Sequence, residues 1–340
     1  MGDYILCLHH NDRDGYMATG CVLLKHTDIP VYTKAVDYKE PLSEAYMEDQ
    51  YEKADLIYLV DYSISTEANI EFAYKYRDKI VWIDHHASSL RTLEKEPELR
   101  HLAGYRCVGL SGALLAWVWY KADTLPMYLT YYIHMHDELV GDDEIIKALN
   151  PPTIILYTHL YDTWHINDRV VNFNFGNFNF DDPSRCACAI EHMTTEDFEG
   201  IIEDGKLIRE YVINENRGII KEYGTEIRIM YRDKEYTCIA VNMHRPNSLK
   251  FSDYADCYDI LMPFYWNGTG FTYSLYKGTC SDNTKDLDLS KIAELFGGGG
   301  HPNAAGFTIS NPADYILPKK GQVITVGSTK EEVLSDRDSE

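Results

Sequence analysis

The chain has 340 residues, 45% of them hydrophobic and 25% charged, with a formal net charge of −22. That length suits two domains, and the balance is that of a globular protein with a large core. The charge argues against long nucleic acid as a tightly held partner, which calls for a basic groove; short oligonucleotides and nucleotides stay open, because carboxylates that bind divalent cations inflate the count.

No apolar run reaches the ~18 residues of a membrane span. Met1 to Leu8 lacks the basic and long apolar regions of a signal peptide, and Leu6 sits where a myristoylation signal after Gly2 needs Ser or Thr. The eight cysteines form no Cys-x-x-Cys pair, and several lie in apolar stretches. A cytoplasmic protein with reduced thiols is expected.

In chain order, Tyr4 to Leu8 is a short apolar run, Gly15 to Lys25 has helical character, and Pro30 to Val36 is β-branched and apolar. Leu56 to Val60 and Ile80 to Ile83 are continuous apolar runs, with a helical stretch, Thr66 to Tyr76, between them and Ser65 or Thr66 as its cap. Short apolar strands alternating with helices imply an α/β fold with a parallel sheet covered on both faces. Residues 111–160 read as mostly helical, ending near Asp162. The segment Asn172 to Phe180, NFNFGNFNF, takes no assignment. Thr194 to Tyr223 reads as a long helix or helix pair of the kind that connects domains. From Thr225 the pattern turns to strands at Glu226–Tyr231, Tyr236–Asn242, Ile260–Tyr265 and Phe271–Tyr276, a second and smaller α+β domain. The expected division is a first domain over 1–190, a helical connector over 191–224, a second domain over 225–328 and a frayed charged tail over 329–340.

Each apolar run of the first domain ends in potential metal ligands. Tyr4–Leu8 leads into His9-His10-Asn11-Asp12-Arg13-Asp14-Gly15, Leu56–Val60 ends at Asp61, and Ile80–Ile83 ends at Asp84-His85-His86. In a parallel sheet all strand C-termini face one edge, where open α/β folds bind ligands, so the three clusters should converge. One such Asp is commonly a turn residue; three strand ends together point to a site. Crowded carboxylates repel unless their pKa values rise or cations neutralise them. Imidazoles mixed with carboxylates favour Mn²⁺, Fe²⁺, Co²⁺ or Zn²⁺ over Ca²⁺. Two cations about 3.5–4 Å apart that share a carboxylate suit phosphoester hydrolysis.

At these residues the chain resembles the DHH phosphoesterase family, with Asp84-His85-His86 as the name-giving motif. His10-Asn11-Asp12-x-Asp14-Gly15 is similar to its first motif, Asp61 to its second, and Tyr161-Asp162-Thr163-Trp164 to its fourth. Gly297-Gly298-Gly299-Gly300-His301-Pro302-Asn303-Ala304-Ala305-Gly306-Phe307 resembles the hallmark of the accompanying DHHA1 substrate domain. Within the family, the first and fourth motifs look most like the nano-RNase B branch of short-oligoribonucleotide exonucleases. The resemblance implies that His10, Asp12 and Asp61 hold one divalent cation and that Asp14, Asp61, His85 and Asp162 hold a second. Mn²⁺ is expected first, with Co²⁺ or Mg²⁺ as alternatives. It also implies catalytic roles for His86, Asp84 and Asp14. His9 is the alternative to His10; His10 is preferred because an alternating strand end points neighbours to opposite sides.

For the substrate, the Gly297–Gly300 run cannot hold a helix or strand well, and it can bring Gly298, Gly299 and Gly300 N–H groups to a phosphate with His301 and Asn303 beside them. Its bland alternative is a flexible turn. Ser111, opening a helix, is a phosphate contact or an ordinary N-cap, and Arg13 a phosphate contact or a solvated side chain. His134-Met135-His136-Asp137 is discounted, because residues two apart on a helix point away from each other. The Phe173, Phe175, Phe178 and Phe180 set and the Asn242–Asn247 loop, with His244 and Arg245, are weaker base or phosphate contacts. The expected partners are short RNA oligonucleotides or dinucleotides, with no long duplex and no membrane; self-association is left open. The expected function is hydrolysis of such RNA to 5′-mononucleotides. The alternatives are the same chemistry on linear or cyclic dinucleotides or 3′-phosphoadenosine 5′-phosphate, and a non-catalytic nucleotide-binding protein.

Overall fold

The short apolar runs form four strands: β1 (Ile5–His10), β2 (Val31–Val36), β3 (Leu56–Val60) and β4 (Ile80–Ile83). The computed structural model describes residues 4–37, 41–141, 143–177, 179–244, 248–279 and 282–326. Phe178, Arg245, Cys280 and the charged tail lie outside these. The chain divides into two compact units, Met1–Ile208 and Arg209–Glu340.

In the first unit, α1 (Arg13–Lys25), α2 (Glu48–Lys53) and α3 (Glu67–Lys75) connect the strands, and α4 (Ala87–Lys95) follows β4. The strands are parallel in the order β2-β1-β3-β4. Strand alternation builds two cores. Cys7, Tyr58, Val60 and Ile83 pack with Met17 and Val22 of α1, while Leu8, Leu59 and Trp82 pack on the other face with Tyr51, Phe72 and Leu93. Each fully buried side chain of this kind contributes about 1.5–3 kcal/mol. The first face is completed by α5 (Gly112–Tyr120), α6 (Met127–Met135), α7 (Asp143–Leu149), α8 (Thr153–Asp162), α9 (Asp168–Gly176) and α10 (Pro183–His192). The boundary between the units falls inside α11 (Thr195–Tyr223).

This layout positions the site. Since α1 and α3 pack on opposite faces, the winding reverses between β1 and β3, the crevice where open α/β sheets bind ligands. The register pairs His9 with Val60 and Val60 with Ile83. One residue further on, His10, Asp61 and Asp84 therefore lie side by side at the strand ends.

The first five residues of the Asn-Phe segment belong to α9, with Asn172, Phe173 and Asn174 buried. Glycines let α9 approach α11: a Cβ on Gly205 would lie 1.8 Å from the Asn172 carbonyl oxygen.

The second unit is a mixed sheet of seven strands in the order β11-β5-β6-β7-β8-β10-β9. They are β5 (Thr225–Tyr231), β6 (Lys234–Asn242), β7 (Ile260–Trp266), β8 (Phe271–Lys277), β9 (Gly299–His301), β10 (Ala304–Ile309) and β11 (Val323–Val326), with α12 (Leu289–Glu294) before β9. Tyr273, Phe307, Leu289 and Ile292 lie in its core. The glycine run departs from expectation, for it does hold a strand: Gly299 and Gly300 pair with Gly306 and Ala305 at the sheet edge. The pairing needs only backbone, and close packing demands glycine. A Cβ on Gly298 would lie 2.1 Å from the Gly306 oxygen, and Gly297 and Gly300 hold φ of 75° and 141°.

Among the described residues, no helix is long and apolar enough to cross a membrane. Cys7, Cys21, Cys107, Cys186 and Cys238 are buried free thiols, whereas Cys188 and Cys257 are exposed.

Candidate metal centre

Three strand ends and the last turn of α8 bring seven ligand-type side chains together. They form three overlapping groups: His10, Asp12 and Asp61; Asp14, His85 and Asp162; and Asp61, His85 and His86. Within each group one ligand atom per residue lies within 4.8 Å of the others. His85 Nε2 sits centrally, 3.2 Å from Asp61 Oδ1, 3.5 Å from Asp162 Oδ2 and 3.7 Å from Asp14 Oδ2. His10 Nδ1 lies 2.6 Å from Asp12 Oδ2 and 4.0 Å from Asp61 Oδ2. His9 is buried, with its Nδ1 2.8 Å from the His10 carbonyl oxygen and its ring edge-on to Tyr16.

Local backbone features aim these groups. Asp12 caps α1, its Oδ1 accepting from the Gly15 N–H at 2.9 Å. A Cβ on Gly15 would lie 2.3 Å from the His10 oxygen, so the turn from strand to helix closes only on glycine. Asp61 ends β3 in a left-handed conformation, φ 53°, which Asp tolerates better than most residues. The Asp14 carboxylate accepts from the N–H groups of Gly112 at 2.6 Å and Ala113 at 3.0 Å, so the positive end of α5 holds a negative side chain from α1. Gly112 is obligatory there as well: a Cβ would lie 2.7 Å from Asp61 Cβ and 2.9 Å from Asp14 Oδ2.

Asp84 belongs to none of the three groups. It is fully buried, its Oδ1 2.7 Å from His86 Nδ1 and its Oδ2 accepting from the Ser89 hydroxyl. It orients a histidine of the site, as carboxylates behind metal-binding histidines do.

Burial and like charges set the electrostatics. Burial, and then neighbouring carboxylates, push the Asp14 and Asp61 carboxyls well above the usual range. Burial also raises Asp162, against the pull of His85. Burial lowers His85 and keeps it a neutral imidazole, the ligating form. For His86 burial works downward, but Asp84, followed by Asp162 and Asp12, carries it up to about 9. Both Asp61 oxygens and Asp162 Oδ2 are buried and accept no hydrogen bond. Buried carboxylate oxygens without donors are costly unless a cation meets them, so the donor set fits divalent metal ions. Mixed carboxylate and imidazole donors suit Mn²⁺ and its neighbours.

The other sequence candidates stand outside the three ligand groups. Arg13, at the start of α1, donates from Nη1 to the Asn174 carbonyl and side-chain oxygens on α9. Ser111 is fully buried; its hydroxyl accepts from the Leu114 N–H as the N-cap of α5. Gly299, Gly300, His301 and Asn303 lie in the second unit on β9 and the turn after it, all exposed, and Gly298, half-buried, precedes the strand. There His301 Nδ1 accepts from the Asn303 N–H at 3.3 Å. His134 lies on α6, and His136 Nδ1 is 2.7 Å from the Tyr132 carbonyl oxygen. His244 meets the edge of Tyr265.

Sequence reasoning missed Ser89 and His159. His159 is fully buried one turn before Asp162 on α8, and its Nδ1 accepts from the Ser111 N–H at 3.2 Å. Burial, then His165 and His85, hold it down at about 4, so it is neutral. Its i,i+3 spacing from Asp162 was a usable signal, since such residues share a helix face.

No protein family matches the chain by sequence, and no curated protein does. Similar solved structures exist. RecJ in complex with Mn²⁺ from Thermus thermophilus is 13% identical with a TM-score of 0.50, covering 95% of this chain and 54% of RecJ. The DHH domain of a member of the s1p family of ribosomal proteins is 14% identical with a TM-score of 0.49, covering 91% of this chain and 83% of that one. The pGpG-specific phosphodiesterase PggH from Vibrio cholerae is 14% identical with a TM-score of 0.45, covering 90% and 93%. At this identity the likeness to RecJ is one of fold.

Proposed function

We propose that the chain is a two-metal phosphodiesterase that hydrolyses short oligoribonucleotides to 5′-mononucleotides. The observation that carries this reading is the shared carboxylate. Asp61 stands between His10 and Asp12 on one side and His85, with Asp14 and Asp162, on the other, buried and with neither oxygen accepting a hydrogen bond. His10, Asp12 and Asp61 would hold one divalent cation, and Asp14, Asp61, His85 and Asp162 a second, with Mn²⁺ the first choice. Such a pair supplies polarisation of a phosphoryl oxygen and a water of near-neutral pKa.

The chain's own residues do the positioning. α5 holds Asp14 through two N–H groups, and Asp84, itself held by Ser89, orients His86, which would donate to a phosphate oxygen. In the second unit, exposed β9 backbone and His301 would grip a terminal phosphate. The substrate class is supported by the resemblance of the first and fourth motifs and by the net charge of −22, which disfavours long polyanions but leaves very short ones accessible.

The test is incubation of metal-loaded protein with RNA dimers to pentamers, a 24-mer, linear and cyclic dinucleotides, and 3′-phosphoadenosine 5′-phosphate, with products resolved by chromatography. Rapid mononucleotide release from the short RNAs, with the 24-mer spared, is the expected result. Turnover confined to a cyclic dinucleotide or to 3′-phosphoadenosine 5′-phosphate keeps the site and moves the substrate. Stoichiometric binding without product removes the catalytic reading.

A further inference from the structure

Helix α6, Met127–Met135, reads MYLTYYIHM and holds no acidic, lysine or arginine side chain. Surface helices are apolar on one face and charged on the other; a helix apolar all round is normally covered all round. α6 is covered on one side only. Leu129 and Ile133 are 1% exposed in the core of the first unit, while Met127, Tyr128, Tyr131 and Met135 are 83%, 68%, 63% and 58% exposed. At ~100° per residue these four share a sector of about 100° on the helix. Val140, 66% exposed, follows a few residues later. Beside the helix lies a cavity of about 520 Å³ lined by Trp119, Met127, Tyr131 and His134 on one side and Arg100 to Tyr105 on the other. Tyr128 does not line it and stands free of it.

We infer that this face is a self-association surface: a second copy of this chain docks on α6 across a two-fold axis, with Tyr128 of each copy seated in the cavity of the other. Three observations choose a second copy over other partners. The first is charge. Two copies at −22 each repel wherever acidic surfaces meet, and α6 offers a contact without acidic side chains. The second is area. At roughly 150–250 Å² per large side chain, complete covering of these exposed fractions removes about 500–850 Å² per copy and about 1,000–1,700 Å² across the axis, which overlaps the lower part of the ~1,200–2,000 Å² of specific interfaces. The third is anatomy. Tyr and Met are enriched in interface centres, and a charged rim is present, with Arg100 paired to Asp137 at 2.8 and 3.0 Å. A protruding side chain beside a cavity on the same patch is self-complementary, as a two-fold contact requires.

The experiment is sedimentation velocity of the full chain over a concentration series at low and high salt, alongside Tyr128→Glu/Tyr131→Glu. The wild type is expected to sediment as a dimer whose dissociation constant falls about 10-fold as salt screens the mutual repulsion. The double variant is expected to dissociate at least ~100-fold more readily, since buried, unpaired carboxylates would oppose the contact. Its hydrolytic activity per chain should be unchanged, because neither residue belongs to the metal centre. A monomeric wild type at every concentration, or a dimer that the double variant leaves intact, overturns the inference. Should the double variant lose its circular dichroism signal, Tyr128→Ala answers in its place: a dimer at least ~10-fold weaker than wild type supports the contact, and one as tight as wild type refutes it.

Discussion

At the strand-end edge of the first unit side chains crowd. Asp14, Asp61 and Asp84 are buried within reach of His85 and His86, and a Cβ on Gly112 has no room among them. At β9 of the second unit side chains are missing: Gly299 and Gly300 leave bare backbone at an exposed sheet edge. The first region is built from what its residues carry, the second from what they lack. Chemistry on a phosphate needs charge held in place against repulsion, whereas gripping one needs N–H groups that no side chain shields. Substitutions should therefore fail differently in the two regions, in turnover at the first and in affinity at the second.

The largest effect is expected from Asp61→Asn. Asn keeps the left-handed backbone but removes the charge shared by both proposed cations, so kcat/KM should fall at least ~10³-fold, about 4 kcal/mol at 1.4 kcal/mol per decade. Calorimetry of the metal-free variant should show a melting temperature equal to or above wild type, because a repelling charge has gone. A lower one would mean that Asp61 serves the fold. Gly112→Ala comes next: displacing Asp61 or Asp14 by a fraction of an ångström should lower kcat about 10²-fold. Asp84→Asn should cost about 10–100-fold, the usual range for a residue that orients a ligand. A larger loss would place it among the ligands. In the second region, His301→Ala should raise KM about 10-fold with kcat little changed; an equal loss in kcat would erase the distinction between the two regions.

The smallest effect is a pH dependence. Asp14 and Asp61 have folded-state pKa values raised above the unfolded value of about 4. Their contribution to stability is full below that value and is lost as pH rises through the folded pKa. Metal-free protein should therefore lose stability from these two groups as pH rises above about 4. The thermal shift produced by Mn²⁺ should be larger at pH 7 than at pH 5, where protons compete for the same oxygens. A shift that is the same at both would separate the cation from these carboxylates.

Much of the first region was legible. Leu56–Val60 and Ile80–Ile83 are strands with the expected bounds, because fully buried parallel strands are continuous apolar runs that turn residues end abruptly. Strand direction then brought His10 and Asp61 to one edge. It could not show that Asp84 turns away toward Ser89, which depends on side-chain torsions rather than on register. The Asn-Phe repeat resisted because its period of two suggests a strand, while its first half is the end of α9, where Gly205 of α11 leaves room for the Asn172 carbonyl. Four glycines excluded a strand on propensity, and β9 forms because β10 supplies the pairing.

The spacing of the proposed ligands along the chain has a consequence in time. His10, Asp12 and Asp61 all lie in the first fifth of the sequence, whereas Asp162 is about 100 residues further on, roughly 5–20 s of synthesis at ordinary ribosome speeds. The helix that clamps Asp14 begins at Gly112, also within that interval. The shared Asp61 would thus gain its two neighbours in a fixed order, the N-terminal trio first and the α8 carboxylate last. Loading of the two cations would then be sequential: a ribosome-bound chain could offer a site for one before any site exists for the other.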